Sequence, residues 1–232
     1  MMDTLWNGPL PDPDIRWVEE MRGVLADPEC DVPFPLYFMY RDCAVSPADR
    51  EWLMAQGVRF DITVMPAASL CGEWIKTKGH HHPPAPDGKR YPELYQVLSG
   101  SCYYLLQNEG PTEVAAIPAR SGEAVLIPPG FGHVTINAGT EPMVMANLVS
   151  RRFSSDYSFY EKMRGAPYYC LEKKGWVKNP AYQVVPPLRT VSPRQFPDHG
   201  IVHDTPIYDL VGTSSLGFLN APGSCPDLSC WW

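Results

Sequence analysis

From Val58 to Val149 the apolar positions fall in short runs separated by turn residues. Val58, Phe60, Ile62 and Val64 fall at every second residue, the period of a half-buried strand. Runs at Glu73–Lys78, Leu94–Leu98, Ser101–Gln107, Glu113–Ile117, Ala124–Ile127, Val134–Asn137 and Met143–Val149 predict seven further strands. Turn formers separate them: Ser99-Gly100, Asn108-Glu109-Gly110, Ser121-Gly122, Pro128-Pro129-Gly130 and Ala138-Gly139. Strands of this length and spacing predict an all-β sandwich or small barrel, such as a double-sheet jelly roll. Before Val58 the pattern is helical and broken by prolines. Trp17, Met21 and Leu25 predict one short helix within Asp14–Leu25. Ser46-Pro47 predicts the start of another, with Ser as cap and Pro in the first turn, ending at Gly57. Residues after about 186 are proline-rich and irregular. The expected division is a 1–57 N-terminal arm packed on the barrel, a 58–150 core, and a 151–232 extension that completes the barrel or a dimer interface.

Composition changes this picture little. The 232 residues are 44% hydrophobic with 26 prolines and 18 glycines, enough for one core built of short strands. A net charge of −7 argues against a nucleic-acid partner, which needs a basic surface. An anionic substrate stays compatible, because a metal and a few donors invert the local field. No apolar stretch reaches membrane-spanning length, and Met1–Leu10 lacks the pattern of a secretory signal. Seven cysteines at irregular spacing are expected to be mostly small apolar fillers in a reducing cytoplasm. Cys225 and Cys230 lie close enough in sequence to pair on oxidation, with two free thiols as the simpler expectation.

Candidate chemistry concentrates in the core. His80 and His82 are two residues apart and share a strand face, with His81 on the other. Glu93 and Tyr95 share a face of the next strand, and His133 follows a Pro-Pro-Gly turn with Asn137 four residues on. Three imidazoles and one carboxylate suit a first-row divalent ion with positions left open. A solvated histidine run and a core histidine are the structural alternatives.

In these residues the chain resembles the cupin superfamily, whose fold is a double-stranded β-helix. Gly122, Pro128, Gly130, His133 and Asn137 match its second motif in step, whereas the first motif has a long His-to-Glu gap. That gap is similar to one subfamily, the cupin-type glucose-6-phosphate isomerases, with Thr63, Pro66, Gly72, Glu73, Lys76, Thr77, Gly79, His80, His82, Glu93 and Tyr95 in register. The resemblance implies that His80, His82, Glu93 and His133 hold one divalent metal (Fe, Mn, Ni or Zn). It implies that Thr63, Thr77 and Gly79 contact a sugar phosphate, and that Glu93 and Tyr95 act at the reacting carbons. It also implies a homodimer, for which Trp6, Trp231 and Trp232 are candidate interface aromatics. Arg151, Arg152 and Tyr157 lie where a further family site is hard to align. Lys76 and Lys78 flank Thr77 and either add positive charge or are solvated surface groups; the threonines are also ordinary strand formers. For Thr77, Gly79 and the His pair to face one cavity, alternation must slip by one residue, which a bulge at Gly79 would provide. An iron-dependent dioxygenase on the same scaffold and a non-catalytic sugar-binding cupin are the competing readings.

Overall fold

The structure is a computed structural model that describes residues 5–226. Its strands are β1 Asp14–Trp17, β2 Pro35–Tyr40, β3 Val58–Met65, β4 Ser69–Leu70, β5 Glu73–Trp74, β6 Glu93–Ser99, β7 Ser101–Asn108, β8 Val114–Arg120, β9 Ala124–Ile127, β10 Phe131–Ile136, β11 Met143–Ser150, β12 Tyr168–Leu171, β13 Gly175–Lys178 and β14 Arg189–Thr190. Helix α1 spans Pro47–Gln56 and α2 spans Ser158–Lys162. One sheet runs β1-β2-β3-β11-β6-β9 and a second β10-β7-β8-β14; a third, β13-β12-β5-β4, lies beside them. The order is that of a double-stranded β-helix: sequence neighbours β9 and β10 lie in different sheets, and β11 returns between β3 and β6.

Helix α1 forms as its sequence predicts. The Ser46 side chain accepts the Asp49 N–H at 3.1 Å, Pro47 fills the first turn, and Gly57 ends the helix at φ 65°. Only Leu53 is buried, so the helix lies on the surface.

The N-terminal arm departs from expectation. The predicted Asp14–Leu25 helix is instead strand β1 followed by two 3-10 turns, Val18–Glu20 and Arg22–Val24. Pairing with β2 satisfies the β1 backbone, and Gly23 weakens any helix there. The turns still bury Met21 and Val24 completely. Strand β2 went unpredicted inside the proline-rich arm. Trp6 is not an interface aromatic: it is buried, stacks on Phe60 at 5.2 Å and meets Tyr208 edge-on at 4.9 Å. Trp231, Trp232 and Cys230 lie outside the described residues.

A Cys30–Cys71 disulfide is the exception to the expectation that the cysteines are mostly free; the other four described cysteines are free thiols. The disulfide ties the arm to the β4–β5 turn. Cys43, Cys102 and Cys170 are buried free thiols, and burial pushes the first two up to about 12.

The tail packs on the barrel. Ile207, Leu210, Leu216, Phe218 and Leu219 are buried in the same cluster as the strands. Gln96 on β6 holds it, donating to the Thr205 carbonyl at 2.9 Å and accepting the Ile207 N–H at 3.0 Å. All eight residues of β11 are buried, because the tail covers the outer face of a strand that elsewhere faces the cavity.

Candidate metal centre

Three segments deliver the four candidate ligands. Glu93 opens β6, and His133 lies in β10. His80 and His82 lie in an extended segment that continues the predicted Glu73–Lys78 run; of that run only Glu73–Trp74 is a regular strand, and the rest is bridged to β10. Lys76 faces Ile136, the Thr77 N–H donates to Thr135, and His80 and His133 exchange backbone bonds of 3.3 and 3.1 Å. Between the Lys76 and His80 pairings this segment advances four residues while β10 advances three. The extra residue is accommodated at Gly79, with φ 80°. A Cβ there would also lie 2.5 Å from the Tyr160 ring, so glycine is required on two counts.

The four ligand atoms lie within 4.8 Å of one another. His80 and His82 bring their Nε2 atoms to 3.1 Å. Glu93 Oε2 lies 3.2 Å from His82 Nε2, 3.3 Å from His133 Nε2 and 3.8 Å from His80 Nε2. This spread fits one ion, since ligands on opposite sides at about 2.1 Å each stand about 4.2 Å apart. The outer contacts favour metal binding. His82 Nδ1 donates to the Tyr91 carbonyl at 2.8 Å, leaving the Nε2 lone pair facing inward, and Asn147 donates to Glu93 Oε1 at 2.8 Å. Glu93 Oε2 is buried without an aligned hydrogen bond, an orphan that a cation would satisfy.

Electrostatics agree. Burial, then the His133 charge, lowers His80 to about 3, and burial lowers His133 despite the pull of Glu93. Both are therefore neutral at physiological pH, the ligating state. Burial raises Glu93, but the contacts from His133, His80 and His82 together hold it well below the usual carboxylate range. The Tyr95 hydroxyl lies 3.0 Å from His133 Nε2. Burial and then the Glu93 charge raise it well above an ordinary phenol, so it is a neutral donor.

The cavity beside this set is lined by Tyr37, Met39, Arg41, Arg59, Thr63, Thr77, Lys78, Tyr157 and three of the ligand residues, His80, His82 and Glu93. Thr63 and Thr77 thus line it; Gly79, buried beneath Tyr160, does not. The Thr77 Oγ1 already accepts the Thr135 N–H at 2.9 Å, leaving its own O–H free to donate. Lys78 Nζ pairs with Glu161 at 2.6 Å over the Tyr157 ring. Lys76 turns away: it is buried, paired with Glu73 and 4.8 Å from the centre of the Tyr169 ring, neither a cavity cation nor a surface charge. Asn137 holds loops rather than ligands, its amide donating to Met65, Pro66 and Glu141 carbonyls. His81 points away, as its position predicts, against Phe159 and Tyr160. Arg151 donates to the Val58 carbonyl and pairs with Asp42, outside the cavity lining.

Sequence reasoning missed Asn147, Arg41, Arg59 and Asp61. Asn147 was visible as the polar residue inside the apolar run Met143–Val149. Arg59, Asp61 and Thr63 were visible as three polar residues on one face of β3.

A double-stranded β-helix that gathers three histidines and a glutamate at one point defines a metal-binding cupin. The model of the glucose-6-phosphate isomerase family matches residues 16–187, and the chain belongs to that family. It is 30% identical over 178 residues to the glucose-6-phosphate isomerase of Thermococcus gammatolerans, covering 73% of this chain and 87% of that one. To the Thermococcus kodakarensis protein of the same name it is 32% identical over 167 residues, covering 71% and 82%. Among solved structures, a Lactobacillus farciminis oxalate decarboxylase in complex with formate is similar at TM-score 0.39 and 17% identity, over 54% of this chain and 32% of that one.

Proposed function

We propose that this chain interconverts glucose 6-phosphate and fructose 6-phosphate at the cavity beside His80, His82, Glu93 and His133, with one divalent ion (Fe, Mn, Ni or Zn) as cofactor. The observation that carries the reading is the convergence of those four ligand atoms in a member of this family. When bound, the ion supplies Lewis acidity for the carbonyl and the developing enediolate oxygens. The residues do the rest. Thr63 and Thr77 offer hydroxyl donors to the phosphate, with Gly79 shaping the backbone that carries Thr77. Glu93 is ionised and takes the proton from C2, returning it to C1, while the hydroxyl proton passes from O2 to O1. Tyr95, a neutral phenol, donates to those oxygens. A carboxylate that ligates a cation is a weaker base than a free one, and direct hydrogen transfer between C1 and C2 with no protein base is the second route. Reaction in D₂O tests the first: deuterium in the product marks proton transfer through a group that exchanges with solvent and excludes direct transfer as the sole route.

The function is tested by coupled assay on chelated protein before and after each metal is restored. Activity that vanishes and returns with one metal is expected. One bound ion per chain without turnover would sink the isomerase reading and turn attention to oxygen consumption. A homodimer is expected to scatter light at twice 26.0 kDa; a particle of 26.0 kDa would exclude it. No helix among the described residues is long and apolar enough to cross a membrane. A cytoplasmic site of action follows from the substrate, whose charge keeps it from crossing membranes. The Cys30–Cys71 bond must be reconciled with that site. Alkylation of cells before lysis is expected to find the pair at least partly reduced; wholly oxidised protein would contradict a reducing compartment.

A further inference from the structure

Two arginines of the cavity, Arg41 and Arg59, are used by no step above. Arg59, Asp61 and Thr63 alternate along β3, and the β2–β3 register, Met39 to Thr63 and Tyr40 to Ile62, brings Arg41 opposite Asp61. Asp61 is fully buried. Its Oδ2 accepts from Arg41 Nη1 at 2.9 Å and from Arg59 Nε at 2.8 Å, and its Oδ1 accepts the Asp42 N–H at 3.0 Å. One carboxylate therefore fixes two guanidiniums, and the trio keeps one positive charge. Because Arg59 is held through Nε, its two terminal amino groups make no hydrogen bond among the described residues. Arg41 Nη2 meets the Met39 sulfur at 3.0 Å, a weak acceptor, and its Nε has a long 3.7 Å contact to the exposed Asp14 carboxylate. Both arginines line the cavity.

Strand register locates the pair relative to the metal ligands. Arg59, Val149 and Glu93 form one row across β3, β11 and β6; Asp61, Asn147 and Tyr95 form the next, and Thr63 and Met145 the one beyond. Thr63 is thus about 13 Å along the strand from Arg59. A sugar 6-phosphate with its phosphate toward Thr63 and its C1–C2 bond near Glu93 and Tyr95 turns C1 toward the row of Arg59.

We infer that Arg41 and Arg59 form a second anion subsite, which takes a sugar carrying a further phosphate on C1, a sugar 1,6-bisphosphate. The inference rests on the sugar-phosphate reading of the cavity. Guanidinium forks match phosphate oxygens in pairs, and these two are already oriented by a carboxylate. Such a ligand cannot react, since esterified O1 is unable to become an aldehyde oxygen. It binds as an inhibitor, and the subsite makes the cavity responsive to a doubly phosphorylated sugar.

The test is calorimetry on the metal-loaded full chain with fructose 1,6-bisphosphate and glucitol 6-phosphate, which share the C6 phosphate and differ in charge at C1. The bisphosphate is expected to bind at least about 10-fold more tightly, the worth of one charge-assisted contact. In Arg59→Ala the ratio of the two dissociation constants falls to about one, and in Arg59→Lys it is intermediate. Arg41→Gln is the second variant; in each, Asp61 keeps one guanidinium, which protects the fold. A wild-type ratio near one, or an Arg59→Ala that weakens both ligands equally, would overturn the inference, the latter placing the arginines at the C6 phosphate. Failure of the wild-type chain to bind either ligand, with no turnover, would instead sink the sugar-phosphate reading beneath it.

Discussion

Glu93→Gln is expected to lose isomerase activity by about three orders of magnitude in kcat and to carry less than one metal ion per chain. The substitution keeps the shape and the Asn147 contact open while removing the carboxylate that faces the three imidazoles. Two losses combine. The ligand set drops from a charged donor to a neutral one, and the group placed to accept a proton is gone, each a large factor by itself. The two are separated by measuring metal content and kcat at saturating metal. Restored metal with kcat still about 10³-fold down would mark Glu93 as a reacting group, whereas full recovery of kcat would mark it as a ligand only. A variant that keeps more than about a tenth of wild-type turnover with metal as purified would show that Glu93 is neither.

The largest expected effect on stability lies outside the cavity, at Lys76. Its ammonium and the Glu73 carboxylate are almost wholly buried, with side-chain exposures of 4% and 2%. Glu73 Oε2 also accepts the Ala26 N–H at 2.8 Å, so the pair ties β5 to the arm. Lys76→Met leaves a buried carboxylate without its cation and is expected to cost about 3–5 kcal/mol. For a chain of this size that corresponds to a fall in Tm of about 6–20 °C by scanning calorimetry. The double variant Glu73→Gln, Lys76→Met removes both charges and is expected to recover most of the loss. A single variant that melts within about 2 °C of wild type would mean the pair is hydrated in solution.

These two positions show why some of the molecule was legible in the sequence and some was not. Strands β3, β6, β7, β9 and β11 were readable within a residue or two, β3 from its period of two and β9 and β11 as short apolar runs bounded by turn residues. The metal ligands were readable because their chemistry is rare and their spacing matched strand alternation, including the single slip at Gly79. Lys76 was misread because alternation tells which side of a strand a residue occupies, not what stands there. Its partner was three residues away, and its ring neighbour, Tyr169, comes from a hairpin nearly a hundred residues on. The arm from Asp14 to Leu25 was misread for a related reason. Trp17 and Met21 are spaced for a helix, but an available edge at β2 satisfied the backbone first. Disulfide partners and the second row of cavity residues depend on which strands become neighbours, information that local patterns do not contain.

The tail beyond residue 187 lies outside the family match, yet it closes over the outer side of β11, the strand beside both Thr63 and Glu93. A chain emerging from the ribosome presents its N-terminus first. Every cavity residue is therefore synthesised while the apolar exterior of β11 still lacks its cover, and the barrel reaches its final burial only when Leu216, Phe218 and Leu219 arrive. Final burial of β11 thereby waits for a segment synthesised after every residue of the centre.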